Sequence, residues 1–94
     1  MNPKTDAAVH VIVKGRVQGV GFRYFAQRTA AEKGLSGWVK NLPDGDVEAE
    51  AEGAKQDLEK WIEELRRGPS IGRVDRLDVD WPPASGRYTE FSIR

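Results

Sequence analysis

The stretch "SGWVKNLPDGDVEAEAEG", residues 36–53, reads as two strands and a turn. "SGWVKN" is compact and partly apolar. "LPDG" is a turn, because Pro43 presets φ and Gly45 accepts a positive φ. "DVEAEAEG" alternates strictly, with Val47, Ala49 and Ala51 on one side and Glu48, Glu50 and Glu52 on the other, the pattern of a strand with one buried face. Working outward, each strand of this hairpin is flanked by a helix. On the N-terminal side a helix begins near Phe22 and stops at Gly34. Phe22, Phe25 or Ala26, and Thr29 share one of its faces. On the C-terminal side a helix runs from about Ala54 to Arg67 and ends at Gly68-Pro69. Leu58, Trp61, Ile62 and Leu65 recur at i, i+3, i+4 and i+7, which is one helical stripe. Beyond the helices lie two more strands. "VHVIV", residues 9–13, sets Val9, Val11 and Val13 against His10 and Ile12. "RVDRLDVDW", residues 73–81, sets Leu77, Val79 and Trp81 against Arg76, Asp78 and Asp80. "PPASG" then breaks the chain, and "YTEFSIR" is a short last strand.

The order is βαββαβ plus a terminal strand. Two βαβ units joined by a hairpin predict an α+β, ferredoxin-like split βαβ sandwich. Both helices cover one face of a mostly antiparallel sheet. The other face is expected to be wet, with the glutamate row of the third strand solvated and Trp38 lying on it. The expected organisation is one domain over residues 8–94 after a flexible N-terminus of residues 1–7.

Composition narrows the function. Of the 94 residues, 32% are charged, yet the formal net charge is zero. That balance argues against duplex nucleic acid or an anionic membrane as partner. There is no cysteine, hence no disulfide, no zinc-thiolate site and no thiol nucleophile. No metal cluster and no cofactor motif stand out. No apolar run approaches the roughly 20 residues that span a bilayer. These observations lead to the expectation of a cytoplasmic monomer without nucleic acid or membrane partners.

Between the first strand and the first helix stands "GRVQGVGFR", residues 15–23. Gly15, Gly19 and Gly21 match neither a nucleotide P-loop nor a dinucleotide fingerprint, since Tyr24 falls where the last glycine of the latter belongs. The physical reading is an anion site. Glycines let successive backbone N–H groups turn inward as a nest. The helix that follows brings the positive end of its dipole. Arg23 in its first turn opposes that dipole, and its planar fork of donors suits a phosphate. The competing reading is an unliganded strand-to-helix turn with a solvated arginine. Asn41 is equally a turn former before "LPDG". His10, mid-strand beside apolar residues, reads as structural. Arg66 and Arg67 complement the dipole of the second helix.

The segment "QGVGFRYF" also resembles the octapeptide of RNA-recognition domains at Gly19, Gly21, Phe22 and Phe25, and departs from it at Gln18, Val20 and Arg23. That motif belongs on the third strand, which here is "VEAEAE", acidic and without an aromatic.

Taken together, "GRVQGVGFR", "GWVKNLPDGDVE", "RRGPS" and the terminal "FSI" resemble the acylphosphatases, small ferredoxin-like enzymes that hydrolyse the carboxyl-phosphate bond of acyl phosphates. The resemblance runs from about Val9 to Ile93. Gly72 stands where the family usually has alanine. The resemblance implies that residues 15–22 (Gly15, Arg16, Val17, Gln18, Gly19, Val20, Gly21 and Phe22) cradle the phosphate. It implies that Arg23 binds the phosphate and that Asn41 positions the attacking water. It further implies a metal-independent hydrolase without cofactor, with inorganic phosphate as product and competitor. The other hypothesis from the residues is an anion-binding regulatory domain without catalysis, or such a part of a larger transferase.

Overall fold

The computed structural model describes residues 7–94. Seven elements follow the expected order: β1 (Ala7–Arg16), α1 (Phe22–Glu32), β2 (Ser36–Asn41), β3 (Val47–Gly53), α2 (Lys55–Arg67), β4 (Arg73–Asp80) and β5 (Phe91–Ile93). They build one five-stranded sheet in the order β4-β1-β3-β2-β5. All neighbours are antiparallel except β2 and β5. Of the N-terminal segment expected to be loose, residues 1–6 lie outside the described residues, and Ala7 opens β1 opposite Gly53.

The alternating valines and alanines form the floor of the core. Val9, Val11 and Val13 of β1 and Val47, Ala49 and Ala51 of β3 are fully buried. Trp61, Leu58, Ile62 and Leu65 of α2 and Phe22, Ala26 and Ala30 of α1 cover them. The stripe is what holds α2 down, since each such side chain contributes roughly 1.5–3 kcal/mol when fully buried. Trp61 also joins the two helices, donating its indole N–H to the carbonyl of Ala26 at 3.2 Å. Buried Thr29 satisfies its hydroxyl on the carbonyl of Phe25 at 2.9 Å. No helix among the described residues is long and apolar enough to cross a membrane.

The outer face of the sheet departs from expectation. The glutamates of β3 are not a solvated row. Residues 82–90, which carry no regular secondary structure, fold back over one end of that face. Glu52 is 1% exposed. Its carboxylate accepts from the Ser85 N–H at 2.8 Å, the Ser85 hydroxyl at 2.7 Å and the Gly86 N–H at 2.8 Å. Burial pushes its pKa up, but the donors of Ser85 and Gly86 outweigh that and hold it below the ordinary carboxylate value. Glu50 accepts from the Tyr88 hydroxyl at 3.2 Å, and Tyr88 in turn accepts the Trp38 indole N–H at 3.1 Å. Glu48 takes the His10 Nε2 at 2.7 Å, which gives His10 the structural part expected of it. Trp38 does lie on this face, yet it is buried, with Lys40 and Arg94 stacked over its ring at 5.5 and 4.9 Å.

Three boundaries also move. β1 overruns its apolar stretch and takes in Gly15 and Arg16, through an irregular register between Lys14 and Gly15. β4 stops at Asp80, leaving Trp81 outside it and 45% exposed. The last strand covers only Phe91–Ile93, because residues 82–90 are drawn across the sheet instead of along it.

Candidate active site

The glycine-rich turn lies between β1 and α1, at the end of the sheet where the β2–β3 turn also sits. Gly15 belongs to the strand for a steric reason. A Cβ there would collide with the carbonyl oxygen of Arg73, so the β1–β4 irregularity needs glycine. Gly19 and Gly21 are different. Nothing lies within 4 Å of a Cβ at either position, but their φ angles are +76° and +77°. The turn therefore demands their backbone conformation, not their small size. Left-handed residues alternating with ordinary ones turn neighbouring N–H groups toward a common point, the geometry of an anion nest.

Gly21 is also the N-cap of α1. No side chain caps this helix, and its first turn holds no acidic residue. The N–H groups that open any helix lack acceptors within it. Here they stay without a side-chain acceptor among the described residues, at the positive end of the dipole. Arg23 is half-buried and has no carboxylate partner among the described residues. An arginine next to an uncapped helix start is a local excess of positive charge, which is stabilised by an anion.

Asn41 reaches the same place from the end of β2, where it pairs with Val47. Its carboxamide oxygen is buried and has no hydrogen-bond partner among the described residues. Leaving such an acceptor unmet costs about 1–3 kcal/mol. The turn after it is well pinned. Gln18 donates both its amide hydrogens to that turn, at 2.8 Å to the carbonyls of Leu42 and Asp46. Lys14 donates to the Asp46 carboxylate at 2.7 Å, and that hydrogen bond raises the Lys14 pKa. The glycine loop and the β2 end are thus fastened to one another, which fixes Asn41 relative to Arg23.

Val17, Gly19, Gly21, Phe22, Arg23, Tyr24, Asn41 and Ile93 line one pocket of about 200 Å³. Six of these eight are among the site residues that the sequence points to. Gly15 and Arg16 sit in β1, Gln18 turns to the β2–β3 turn, and Val20 packs on the core edge; none of the four lines the pocket. Tyr24 and Ile93 are not among those site residues. Tyr24 stands beside Arg23 in the first helical turn, a hint that position alone offers. Ile93 arrives from the far end of the chain by the parallel pairing of β5 with β2, and no local pattern announces it. Among the described residues no three His, Asp or Glu side chains converge as a metal site. The stretch likened to an RNA-binding octapeptide spans a turn and a helix start, so it presents no stacking strand.

The acylphosphatase family profile matches residues 9–93. An acylphosphatase of Methylococcus capsulatus is 51% identical over 85 residues, covering 90% of this chain and 92% of the relative. The crystal structure of an acylphosphatase from Bacillus subtilis superimposes with a TM-score of 0.91 at 41% identity, covering 94% of this chain and 98% of that one. An acylphosphatase structure from Coxiella burnetii gives 0.93 at 36% identity over the whole of both chains.

Proposed function

The chain belongs to the acylphosphatase family, and from that premise we propose how this pocket hydrolyses the carboxyl-phosphate bond of acyl phosphates. The phosphate end of the substrate sits between the N–H groups of residues 17–22 and the guanidinium of Arg23. A planar fork of donors matches two phosphoryl oxygens at once. Asn41 accepts one hydrogen of a water through its carboxamide oxygen and holds that water in line with the scissile bond. The water oxygen forms a bond to phosphorus while the bond from phosphorus to the acyl oxygen breaks. The electron pair leaves on the carboxylate, and a phosphoryl oxygen of the substrate takes the water's proton.

The leaving carboxylate is already a stable anion, so no strong acid has to protonate it. Positioning and charge stabilisation carry such a transfer. No step of this reading uses a metal or a cofactor. The observation that carries it is the convergence, from α1 and β2, of a guanidinium and a buried carboxamide oxygen, both without a partner among the described residues, in one small pocket. On the same reading residues 8–94 act as one domain and a cytoplasmic monomer. It works on small free acyl phosphates, and inorganic phosphate, the product, competes with them. The zero net charge supports the absence of nucleic acid and membrane partners.

The test is phosphate release from acetyl phosphate, with and without a chelator. The expected result is release far above the uncatalysed rate, unchanged by chelation and inhibited competitively by inorganic phosphate. Activity lost in chelator and restored by magnesium would contradict the metal-free route. Binding of phosphate without turnover would leave an anion-binding domain instead of an enzyme.

A further inference from the structure

The segment "GPSIGR", residues 68–73, joins α2 to β4. It meets the glycine-rich stretch at its start, middle and end. Gly15 passes the carbonyl of Arg73 so closely that no Cβ fits there. A Cβ on Gly72 would stand 3.0 Å from the Cγ2 of Val20 and 3.2 Å from the carbonyl oxygen of Arg16. A Cβ on Gly68 would stand 3.6 Å from the ring of Phe22. The N–H of Gly72 donates to the carbonyl of Pro69 at 3.0 Å, which closes a turn. Pro69 stiffens that turn, since its ring fixes φ.

The phosphate loop has little else to hold it. Gly19 and Gly21 carry no side chain, and nothing among the described residues lies within 4 Å of a Cβ at either. A glycine that packs on nothing keeps its torsions soft. Donors that stabilise developing charge act by being fixed before the reaction begins. Two side chains of the loop, Gln18 and Val20, line no part of the pocket. Gln18 is bonded to the turn between β2 and β3. Val20, partly buried against the core, stands between the two soft glycines and over Gly72. The loop is thus anchored on two different turns, by a polar side chain on one and an apolar side chain on the other.

We propose that Val20 is a positioning residue of the phosphate site and that the Pro69–Gly72 turn is its seat. Packed there, Val20 fixes the N–H groups of Gly19 and Gly21 on either side of it. The proposal rests on the hydrolase reading above. Val20 touches neither phosphate nor water, and acts through the backbone of its neighbours. Gly72 sets how deep the Val20 side chain lies. Its φ is not positive, so its backbone accepts a side chain, and a methyl there presses on Val20 and reaches the Pro69 ring at 3.5 Å.

The experiment measures kcat for acetyl phosphate, the dissociation constant of inorganic phosphate by calorimetry, and the thermal melt. The proteins are the wild type, Val20→Ala, Gly72→Ala, the double variant of those two, and Val79→Ala. Val79 is the matched control: it packs against the same core, opposite Val11, at the end of β4 remote from the loop. Both valine truncations are expected to lower Tm by about 5 °C. A misplacement of about 1 Å costs about 10²-fold in rate, so freeing one of two anchors is expected to lower kcat per folded molecule about tenfold in Val20→Ala and to weaken phosphate binding about tenfold. Val79→Ala keeps both within about twofold. Gly72→Ala alone stays within about threefold, because the Val20 side chain can give way. In the double variant the methyl at position 72 refills part of the space left at Val20, and kcat returns to within about threefold of wild type. A Val20→Ala protein that matches Val79→Ala in kcat and phosphate affinity overturns the positioning role. A double variant no faster than Val20→Ala overturns Gly72 as the seat. A wild type that releases no phosphate from acetyl phosphate overturns the hydrolase reading, and the phosphate dissociation constants of the same proteins then decide the seat by themselves.

Discussion

Glu52 and Asn41 stand at opposite ends of one ladder: Glu52 on β3 faces Ser36, and Asn41 on β2 faces Val47. Both put a polar side chain where water is scarce, and the fold treats them in opposite ways. The Glu52 carboxylate is met by three donors from Ser85 and Gly86. The Asn41 oxygen is met by none among the described residues. A segment without regular structure crosses the sheet to satisfy the first. Near the second, the turn is pinned by Gln18 and Lys14, and still the carboxamide oxygen is left open. A satisfied buried polar group stabilises a fold; an unsatisfied one in a rigid, cationic pocket is held ready for a ligand. On the proposed function, the difference separates structural polarity from functional polarity on a single sheet.

Arg23→Ala breaks the functional end most completely. Loss of an arginine that stabilises charge in phosphoryl transfer costs about 10³-fold or more in rate, and phosphate affinity falls with it. Arg23→Lys recovers little, because an ammonium lacks the bidentate fork. The melting temperature stays near wild type, since Arg23 has no ion-pair partner to lose among the described residues. Steady-state kinetics beside a thermal melt checks all three statements.

Asn41→Ala sharpens the contrast. The expected loss in kcat is about 10²–10³-fold, the worth of one preorganised polar group. Phosphate inhibition changes far less, because Arg23 and the loop amides remain. Stability holds, as the side-chain oxygen has no hydrogen bond to lose among the described residues. Asn41→Asp is at least as inactive and binds phosphate more weakly, since it sets a negative charge beside an anion. An Asn41→Ala protein that melts early and turns over normally would make Asn41 a turn residue.

Glu52→Gln gives the opposite profile. The amide nitrogen is forced against a backbone or hydroxyl donor, a cost of about 2 kcal/mol. In a chain of this size that is about 8–16 °C in Tm. Turnover per folded molecule remains within about twofold, because Glu52 lies at the far end of the ladder from the pocket.

The smallest effects concern pH. Guanidinium, carboxamide and backbone amides do not titrate near neutrality. Activity is therefore flat from mildly acidic to neutral pH once the ionisation of the substrate is corrected for, and His10→Gln leaves the profile unchanged. Stability behaves otherwise in acid. The folded-state pKa of Glu52 lies below its ordinary value of 4.5. Its contribution is complete above that value and disappears as pH falls through the lower, folded one. Glu52→Gln removes this part of the acid slope, and melts between about pH 5 and pH 3 show it.

Much of this was legible in the residues, for physical reasons that also mark where legibility ends. Strict alternation in "VEAEAE" and the Leu58, Trp61, Ile62 and Leu65 stripe named both elements and their buried faces. Alternation says which side of a strand is polar. It does not say whether something lies over that side, so the burial of Glu52 under residues 82–90 went unread. Gly15 reads as the start of a loop, since glycine punctuates; its true reason is the approach of the Arg73 carbonyl, a contact between positions 58 residues apart. Arg23 betrayed itself by sitting against a helix dipole. Asn41 by itself reads as a turn former, and only the unmet oxygen supplies a physical ground for more. Ile93 reaches the pocket through a parallel strand pair, which no local pattern encodes.

On the proposed function, phosphate is recognised at the unsatisfied end of the ladder, by the amides of residues 17–22 together with Arg23 and Asn41. Titration of inorganic phosphate into the protein, followed through the backbone and side-chain amide resonances by NMR, tests it most directly. The account predicts saturable shifts centred on Gly19, Gly21, Phe22 and Arg23 and on the Asn41 carboxamide, no shift at Ser85 or Gly86, and loss of the whole response in Arg23→Ala. Saturable shifts centred elsewhere, with residues 17–23 and Asn41 unmoved, would contradict it.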